Sequence, residues 1–277
     1  SNSHYPATIT GATVLLVLLS LYFFSGVLFP DLAGSRYEDA LEITGVFLLM
    51  TLLPAYLIMC LIVNQRSNDC GLEQLQDRLP HNRDLPGRYA GAQYWFWVLP
   101  PAWAYALIVN VNWNPVRLDP ADPGFTLSVM LIVGQLLLWT VVGIVLFFAL
   151  HQCWYFNRLG RVVRIDLYQP NGLNPFGRTA LNNFLIVVGA LALTVVQALD
   201  REFRAENYVN ALYVGVPAAL IMVTLPIWPI HRRMKQARAA ALADLETDIA
   251  KVSRELDQES LQRLNALLAR RDYLQSV

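Results

Sequence analysis

The chain is short of charge. Asp, Glu, Lys and Arg make up 15% of its 277 residues, against about 25% in a soluble domain. The 21 basic and 21 acidic side chains cancel, so no global field draws the chain to nucleic acid or to an acidic partner. Cysteine is scarce as well. Cys60, Cys70 and Cys153 form no CxxC pair and are odd in number, which argues against a disulfide framework. No HExxH, GxSxG, Walker loop or Rossmann glycine pattern occurs, so the hydrolytic and nucleotide chemistries that use those motifs have nothing to rest on. His4, His81, His151 and His231 stand apart. His151 and Cys153 come nearest to a metal pair, and two ligands do not make a site. No catalytic residue, cofactor or metal ligand is assigned.

What the chain has is apolar length. It is 55% hydrophobic with a mean hydropathy of +0.38. Its apolar runs fall at about 7–29, 41–63, 94–111, 125–150, 181–199 and 208–230. About twenty such residues cross a hydrocarbon core of roughly 30 Å. The expectation is an all-α, six-span polytopic membrane domain over 1–230, followed by a helical tail over 231–277. The first run has neither a charged leader nor a clear small-residue cleavage site and reads as a retained span. The third, "YWFWVLPPAWAYALIV", is the weakest, with Pro100-Pro101 and a dense aromatic cluster.

Basic residues choose alternate loops. Arg66, Arg78, Arg83 and Arg88 follow the second run, Arg158, Arg161, Arg164 and Arg178 the fourth, and Arg232, Arg233, Lys235 and Arg238 the sixth. The intervening loops hold only Arg36, Arg117, Arg201 and Arg204. Positive charge stays on the cytoplasmic side, which places both termini there and asks for an even number of spans. The stretch "NDCGLEQLQDRL" sets Leu72, Leu75 and Leu79 on one helical face and reads as a short interfacial helix.

The most compact of the basic loops is "RVVRIDLYQPNGLNPFGR", residues 161–178. Val163, Ile165 and Leu167 alternate with Arg164, Asp166 and Tyr168, a short strand-like pattern. Pro170-Asn171-Gly172 is turn chemistry in which Gly172 is expected at positive φ, and Asn174-Pro175 makes a second turn. The expectation is a folded elbow at the membrane surface. Val163, Ile165, Leu167 and Phe176 dip inward, Arg161, Arg164 and Arg178 meet lipid headgroups, and Asp166 pairs with a neighbouring arginine. Such an elbow either couples the spans to the tail or serves as a plain re-entry turn.

From His231 the chain lacks Gly and Pro and is rich in Ala, Leu, Glu, Arg and Gln, a strongly helical composition. Leu242, Leu245, Ile249, Val252 and Leu256 follow heptad spacing. The register breaks at Glu259, and the apolar set resumes at Leu261, Leu264 and Leu268. Either one helix continues with a drifting stripe, or Asp257 caps a second helix. A seam of this kind needs a partner, through self-association or through docking on another protein or on the chain's own loops. Within the spans the polar residues are neutral. Gln135 is the costliest and is expected to bond a neighbouring helix. Gly215-x-x-x-Ala219 is a small-xxx-small pattern suited to close helix packing.

"RIDLYQPNGLNPFGR", a span, and then "IHRRMKQARAAALADLETDIA" together resemble uncharacterised bacterial polytopic membrane proteins, which carry a similar Pro-Phe-x-Arg elbow and a His-Arg-Arg junction into a long helix. The resemblance covers the C-terminal part of the chain. It implies a bacterial inner-membrane setting and brings no activity, substrate or ligand with it. The leading functional expectation is a non-enzymatic sensor, anchor or assembly module coupled to the tail, with membrane lipids and a second copy or another protein as partners. The alternatives are a homo-oligomeric channel with the tail as assembly domain, and a membrane enzyme or carrier for an apolar substrate.

Overall fold

A computed structural model describes residues 5–26, 37–79, 96–113, 125–167, 170–198, 205–253 and 258–276. These residues are helical almost throughout, with no strand among them. The helices are α1 (Tyr5–Phe24), α2 (Tyr37–Leu75), α3 (Leu99–Trp113), α4 (Phe125–Gly160), α5 (Asn174–Leu193), α6 (Ala205–Val252) and α7 (Gln258–Ser276). Five stretches have the length and composition to cross a membrane: Pro6–Phe24, Ile43–Leu75, Phe125–Gly160, Asn174–Val196 and Ala211–Val252. The third expected span is a shorter helix, with its apolar core at Leu99–Ile108. Pro100-Pro101 fall in its first turn, where a missing N–H costs little.

Side-chain contacts give the helix directions. Gly11 of α1 lies against Met59 and Ala55 of α2, while Tyr22 packs at a tilt against Phe47 with ring centroids 4.9 Å apart, so α1 and α2 are antiparallel. Trp103 donates to Thr140 at 2.8 Å and Tyr105 packs edge-on to Trp139 at 4.4 Å, while Gly143 meets Val98 and Ala102. α3 therefore runs antiparallel to α4. Gly215 rests against Leu191, and Ala218, Ala219 and Met222 join Val187 in one apolar cluster. The small-xxx-small face of α6 thus seats on α5, as its small residues suggest.

At one end of the bundle the C-terminal ends of α2 and α4, the start of α5 and the middle of α6 converge. Leu75, Leu79, Tyr155, Phe156, Leu159, Val163, Leu173, Phe176 and Ile230 form a continuous buried cluster. Arg78, Arg158, Arg161, Arg178, Arg232 and Arg233 flank these positions in the chain, so this is the basic end. Along the rest of the bundle many large apolar side chains face outward, among them Leu16, Phe24, Tyr213 and Trp228, as a lipid-facing surface requires.

Several expected boundaries move. α2 continues to Leu75, and Gln76–Arg78 add a single 3-10 turn capped by Leu79, so Leu72 and Leu75 belong to the end of α2 rather than to a separate interfacial helix. α5 starts at Asn174, seven residues ahead of the expected Leu181. The strand-like alternation at 163–167 forms no strand: Val163 is buried, Ile165 and Leu167 are half-buried, and the backbone there turns. A single backbone bond from Arg164 N to Arg78 O at 3.1 Å ties this segment to the end of α2, too little pairing for a ladder.

The tail resolves into two helices. α6 runs unbroken past His231 to Val252, and α7 follows and packs on α6. Along the seam Leu245 is buried while Leu242, Ile249 and Val252 are half-buried; α7 offers Leu264, Leu267 and Leu268 as its own half-buried stripe. Leu256 and Asp257 lie outside the described residues.

Candidate functional site

Above the apolar cluster at the basic end lies a buried polar network that the sequence reading passed over. On α2 and α5 its parts come in pairs one helical turn apart, which puts each of those two pairs on one face. Asn64 and Asn68 face inward from α2, Thr179 and Asn183 from α5, and Gln152 and Cys153 from α4. Asn64 Nδ2 donates to Gln152 Oε1 at 2.9 Å and to Asn183 Oδ1 at 2.6 Å. Asn68 Nδ2 donates to Gln152 Oε1 at 2.7 Å and lies 3.4 Å from Asn64 Oδ1. Thr179 Oγ1 donates to Asn68 Oδ1 at 2.8 Å. Asn183 Nδ2 donates to Cys153 Sγ at 3.1 Å. Asn183 and Cys153 are fully buried.

The network reaches α6 through two prolines. Proline has no N–H to give to the carbonyl four residues back, so Pro226 releases Met222 O and Pro229 releases Leu225 O. Both freed carbonyls face α4. The Cys153 thiol reaches Met222 O at 3.6 Å, and Asn157 Nδ2, one turn further along α4, donates to Leu225 O. Gly160, the next turn on, meets Pro229 and Ile230. Asn157 Oδ1 accepts from Arg161 Nη2 at 3.0 Å, so this latch extends to the first residue of the elbow. In a lipid environment an unsatisfied carbonyl costs several kcal/mol, which gives α4 and α6 a reason to stay in register.

A double-mutant cycle tests the latch. Asn157→Ala alone is expected to cost about 1–2 kcal/mol, since it strands Leu225 O. In a Pro229→Ala background the new N–H satisfies that carbonyl within the helix, and Asn157→Ala should then cost less by about 1 kcal/mol. Additive costs, measured by reversible unfolding in mixed micelles, would mean that the freed carbonyl is not what Asn157 serves.

Every contacting group in the central network is an amide, a hydroxyl or a thiol. The arrangement holds α2, α4, α5 and α6 together by directional bonds and carries no charge whose desolvation would have to be offset. His151 and Cys153, two residues apart on α4, turn to different surroundings: Cys153 is sealed in the network, while His151 lines a cleft at its edge.

The expected elbow residues sit directly beneath. Phe176 is buried and packs edge-on to Phe156, with centroids 5.5 Å apart and planes at 90°. Pro175 is buried against Gly71, where a Cβ would come within 3.2 Å of the Pro175 ring. Pro170 and Gly172 belong to one 3-10 turn, Pro170–Leu173. Gly172 does not take the expected positive φ, which among the described glycines occurs only at Gly26. Its reason is space instead: the Arg78 guanidinium occupies the place a Cβ would take. Arg161, Arg164, Asp166 and Arg178 are exposed. From the other side Arg233, in the His-Arg-Arg junction, donates Nη1 to Val163 O at 2.6 Å. The elbow is thus gripped by Arg78 after α2 and by Arg233 on α6.

Gln135 is buried, but its Oε1 has no hydrogen-bond partner among the described residues. Other polar ties between helices lie at the amide network, at Trp103 and Thr140, and at Tyr56, whose hydroxyl lies 3.3 Å from Leu185 O and 3.4 Å from Ile186 O of α5.

Fold and site together define a polytopic helical membrane protein with a polar lock at one end of its bundle. No known protein family, no curated protein and no solved structure matches the chain.

Proposed function

We propose that this is a six-crossing, non-enzymatic membrane protein that couples the state of its membrane domain to a cytoplasmic helical hairpin, as a sensor, anchor or assembly module. The observation that carries this reading is the continuity of α6. One helix, Ala205–Val252, receives the Cys153 and Asn157 latch at Met222 and Leu225, holds the elbow through Arg233, and continues to the tail seam. A shift of α4 against α6 at the network would be carried along that helix rather than absorbed in a loop.

Length and composition support five crossings, and the direction of the helices supports the sixth. α2 and α4 run parallel: Met50 lies near Gly134 at one level and Asn64 bonds Gln152 at another. The chain between them starts at Leu79 in the basic-end cluster and reaches Phe125 at the other end, so it recrosses the layer through the α3 region. The twelve-to-four bias of Lys and Arg between alternate loops makes the basic end cytoplasmic, where its arginines meet anionic headgroups of the inner membrane. Exposed parts of the hairpin seam remain for a second copy or another protein.

The topology is tested by thiol labelling of intact cells. Asp122→Cys, in a background with Cys60 and Cys70 replaced, should react with an impermeant maleimide, and native Cys70 should react only after permeabilisation. The reverse pattern would invert the orientation and put the hairpin outside.

A further inference from the structure

Four arginines gather where α4 ends beside α6. The latch sets the level of the two helices, with Cys153 at Met222 and Asn157 at Leu225. That level brings Gly160 against Pro229 and Ile230. Past Gly160 the chain turns tightly: Val162 N and Val163 N both donate to Leu159 O, and Arg164 N donates to Arg78 O. Arg161 and Arg164 stand on this turn, on either side of buried Val163 in the chain. Arg233 reaches Val163 O from α6, and Arg232 precedes it. Two stretches seventy residues apart thus bring Arg161, Arg164, Arg232 and Arg233 to one place.

Little opposes their charge. Arg161 Nη2 donates to Asn157 Oδ1 and Arg233 Nη1 to Val163 O. Both bonds end on neutral oxygens, which fix the side chains and leave their positive charge uncompensated. Arg164 and Arg232 are exposed. Residues 158–178 contain one carboxylate, Asp166, and residues 227–243 contain none. Like charges gathered in this way repel, and an anion among them reverses the sign.

Depth in the bundle says which anion. Trp228 is 68% exposed on α6, and Arg232 follows it one helical turn later, on the same face. The same order occurs on α4, where the Arg158 guanidinium lies 4.7 Å from the ring of exposed Trp154, one turn before it. Tryptophan favours the boundary between hydrocarbon and headgroups, and an arginine just beyond it reaches the phosphate layer. A guanidinium suits phosphate oxygens because it can offer two parallel N–H donors.

We infer that the α4–α6 junction binds the phosphodiester of an anionic glycerophospholipid. Arg164 and Arg232 are its exposed ligands, and Arg161 and Arg233, anchored on Asn157 and Val163, complete the positive field. A zwitterionic lipid brings its own ammonium to this field and fits it less well. The inference rests on the reading that the basic end lies among headgroups, and it is independent of coupling through α6.

The test is native mass spectrometry of the full chain, released from micelles that contain equimolar phosphatidylglycerol and phosphatidylcholine. The wild type should retain phosphatidylglycerol with a preference of roughly tenfold or more, the scale set by two arginines at an anionic surface. Arg164→Gln with Arg232→Gln leaves the Asn157 latch and the grip on Val163 in place and should remove most of that preference. Arg263→Gln with Arg270→Gln takes the same charge from α7 and should leave the preference unchanged. Persistence of the preference in the first pair, or an equal loss in the second, overturns the inference. Displacement of phosphatidylglycerol by millimolar inorganic phosphate would give the site to a soluble phosphate and overturn the lipid assignment. Equal retention of the two lipids by the wild type contradicts this inference alone, whereas a chain that retains no phospholipid contradicts the membrane reading with it.

Discussion

Phe176→Ala should destabilise the protein by about 3 kcal/mol or more, the cost of deleting a buried phenyl ring and leaving its cavity. The ring is 2% exposed and meets Phe156 edge-on within the cluster that also holds Leu75, Leu159, Leu173 and Ile230. These residues come from α2, α4, α6 and the elbow, which cannot all close on one void without sliding the helices against the amide network. Interiors packed as densely as a crystal collapse only partly around such a loss. Phe176→Leu keeps most of the volume and should cost under about 1.5 kcal/mol. Equilibrium unfolding in mixed micelles measures both. Equal, small costs would show that the elbow lies on the bundle without being packed into it.

Asn64→Leu should cost about 2–3 kcal/mol, although it exchanges a polar side chain for an apolar one inside an apolar bundle. A hydrogen bond between membrane helices contributes on average only about 0.6 kcal/mol. The larger effect comes from the groups left behind. Asn183 Oδ1 loses its donor at 2.6 Å, Gln152 Oε1 loses one of two, and all three residues are buried. A buried group stripped of its partner costs about 1–3 kcal/mol. Asn182, on the same helix, donates to Ser67 at 2.9 Å in a half-buried position. Asn182→Leu should therefore cost under about 1 kcal/mol, because water can replace Ser67. Similar costs for the two variants would mean that the network is hydrated and adds little.

The two predictions also mark what the sequence discloses and what it hides. Apolar runs located the long helices, and the start of α4 at Phe125 coincides with the expected start of the fourth run. The expected ends fell short at α2, α4 and α5, in each case at the same chemistry. Hydropathy drops at Asn64, Ser67 and Asn68, at Gln152 and Asn157, and at Asn182 and Asn183. An amide satisfied by a neighbouring helix and an amide in water contribute identically to composition, so a buried network reads as a loop. The spacing Asn64-x-x-x-Asn68 and Thr179-x-x-x-Asn183 was the available signal: paired polar residues one turn apart at the edge of an apolar run favour an inward polar face. The prolines of α6 gave a second clue, since each names the carbonyl it frees. Gly172 was legible as a special position but for a different reason, because the guanidinium that excludes a side chain there comes from Arg78, far away in the sequence.

The elbow stands in the same relation to its reading. Its inward residues Val163 and Phe176 are legible from their apolar character between arginines. Its grip by Arg78 and Arg233 is not, since a backbone carbonyl such as Val163 O leaves no trace in the side-chain pattern. Alternation over a few residues did not make a strand because the segment had no partner to pair with beyond one bond to Arg78 O.

The coupling of the membrane domain to the hairpin through α6 is tested most directly by amide hydrogen exchange of residues 236–252, in the wild type and in Asn157→Val and Arg233→Gln, at matched assembly state in vesicles. Asn157→Val removes the latch on Leu225 O, and Arg233→Gln releases the elbow from α6. If α6 transmits the state of the network, both variants should exchange faster across this stretch. A loss of about 1.4 kcal/mol of local stability corresponds to roughly tenfold. Unchanged protection of residues 236–252, in variants whose helices α4 and α6 exchange faster near the latch, would contradict the account: the lock would then hold the bundle alone, and the hairpin would follow its own equilibrium.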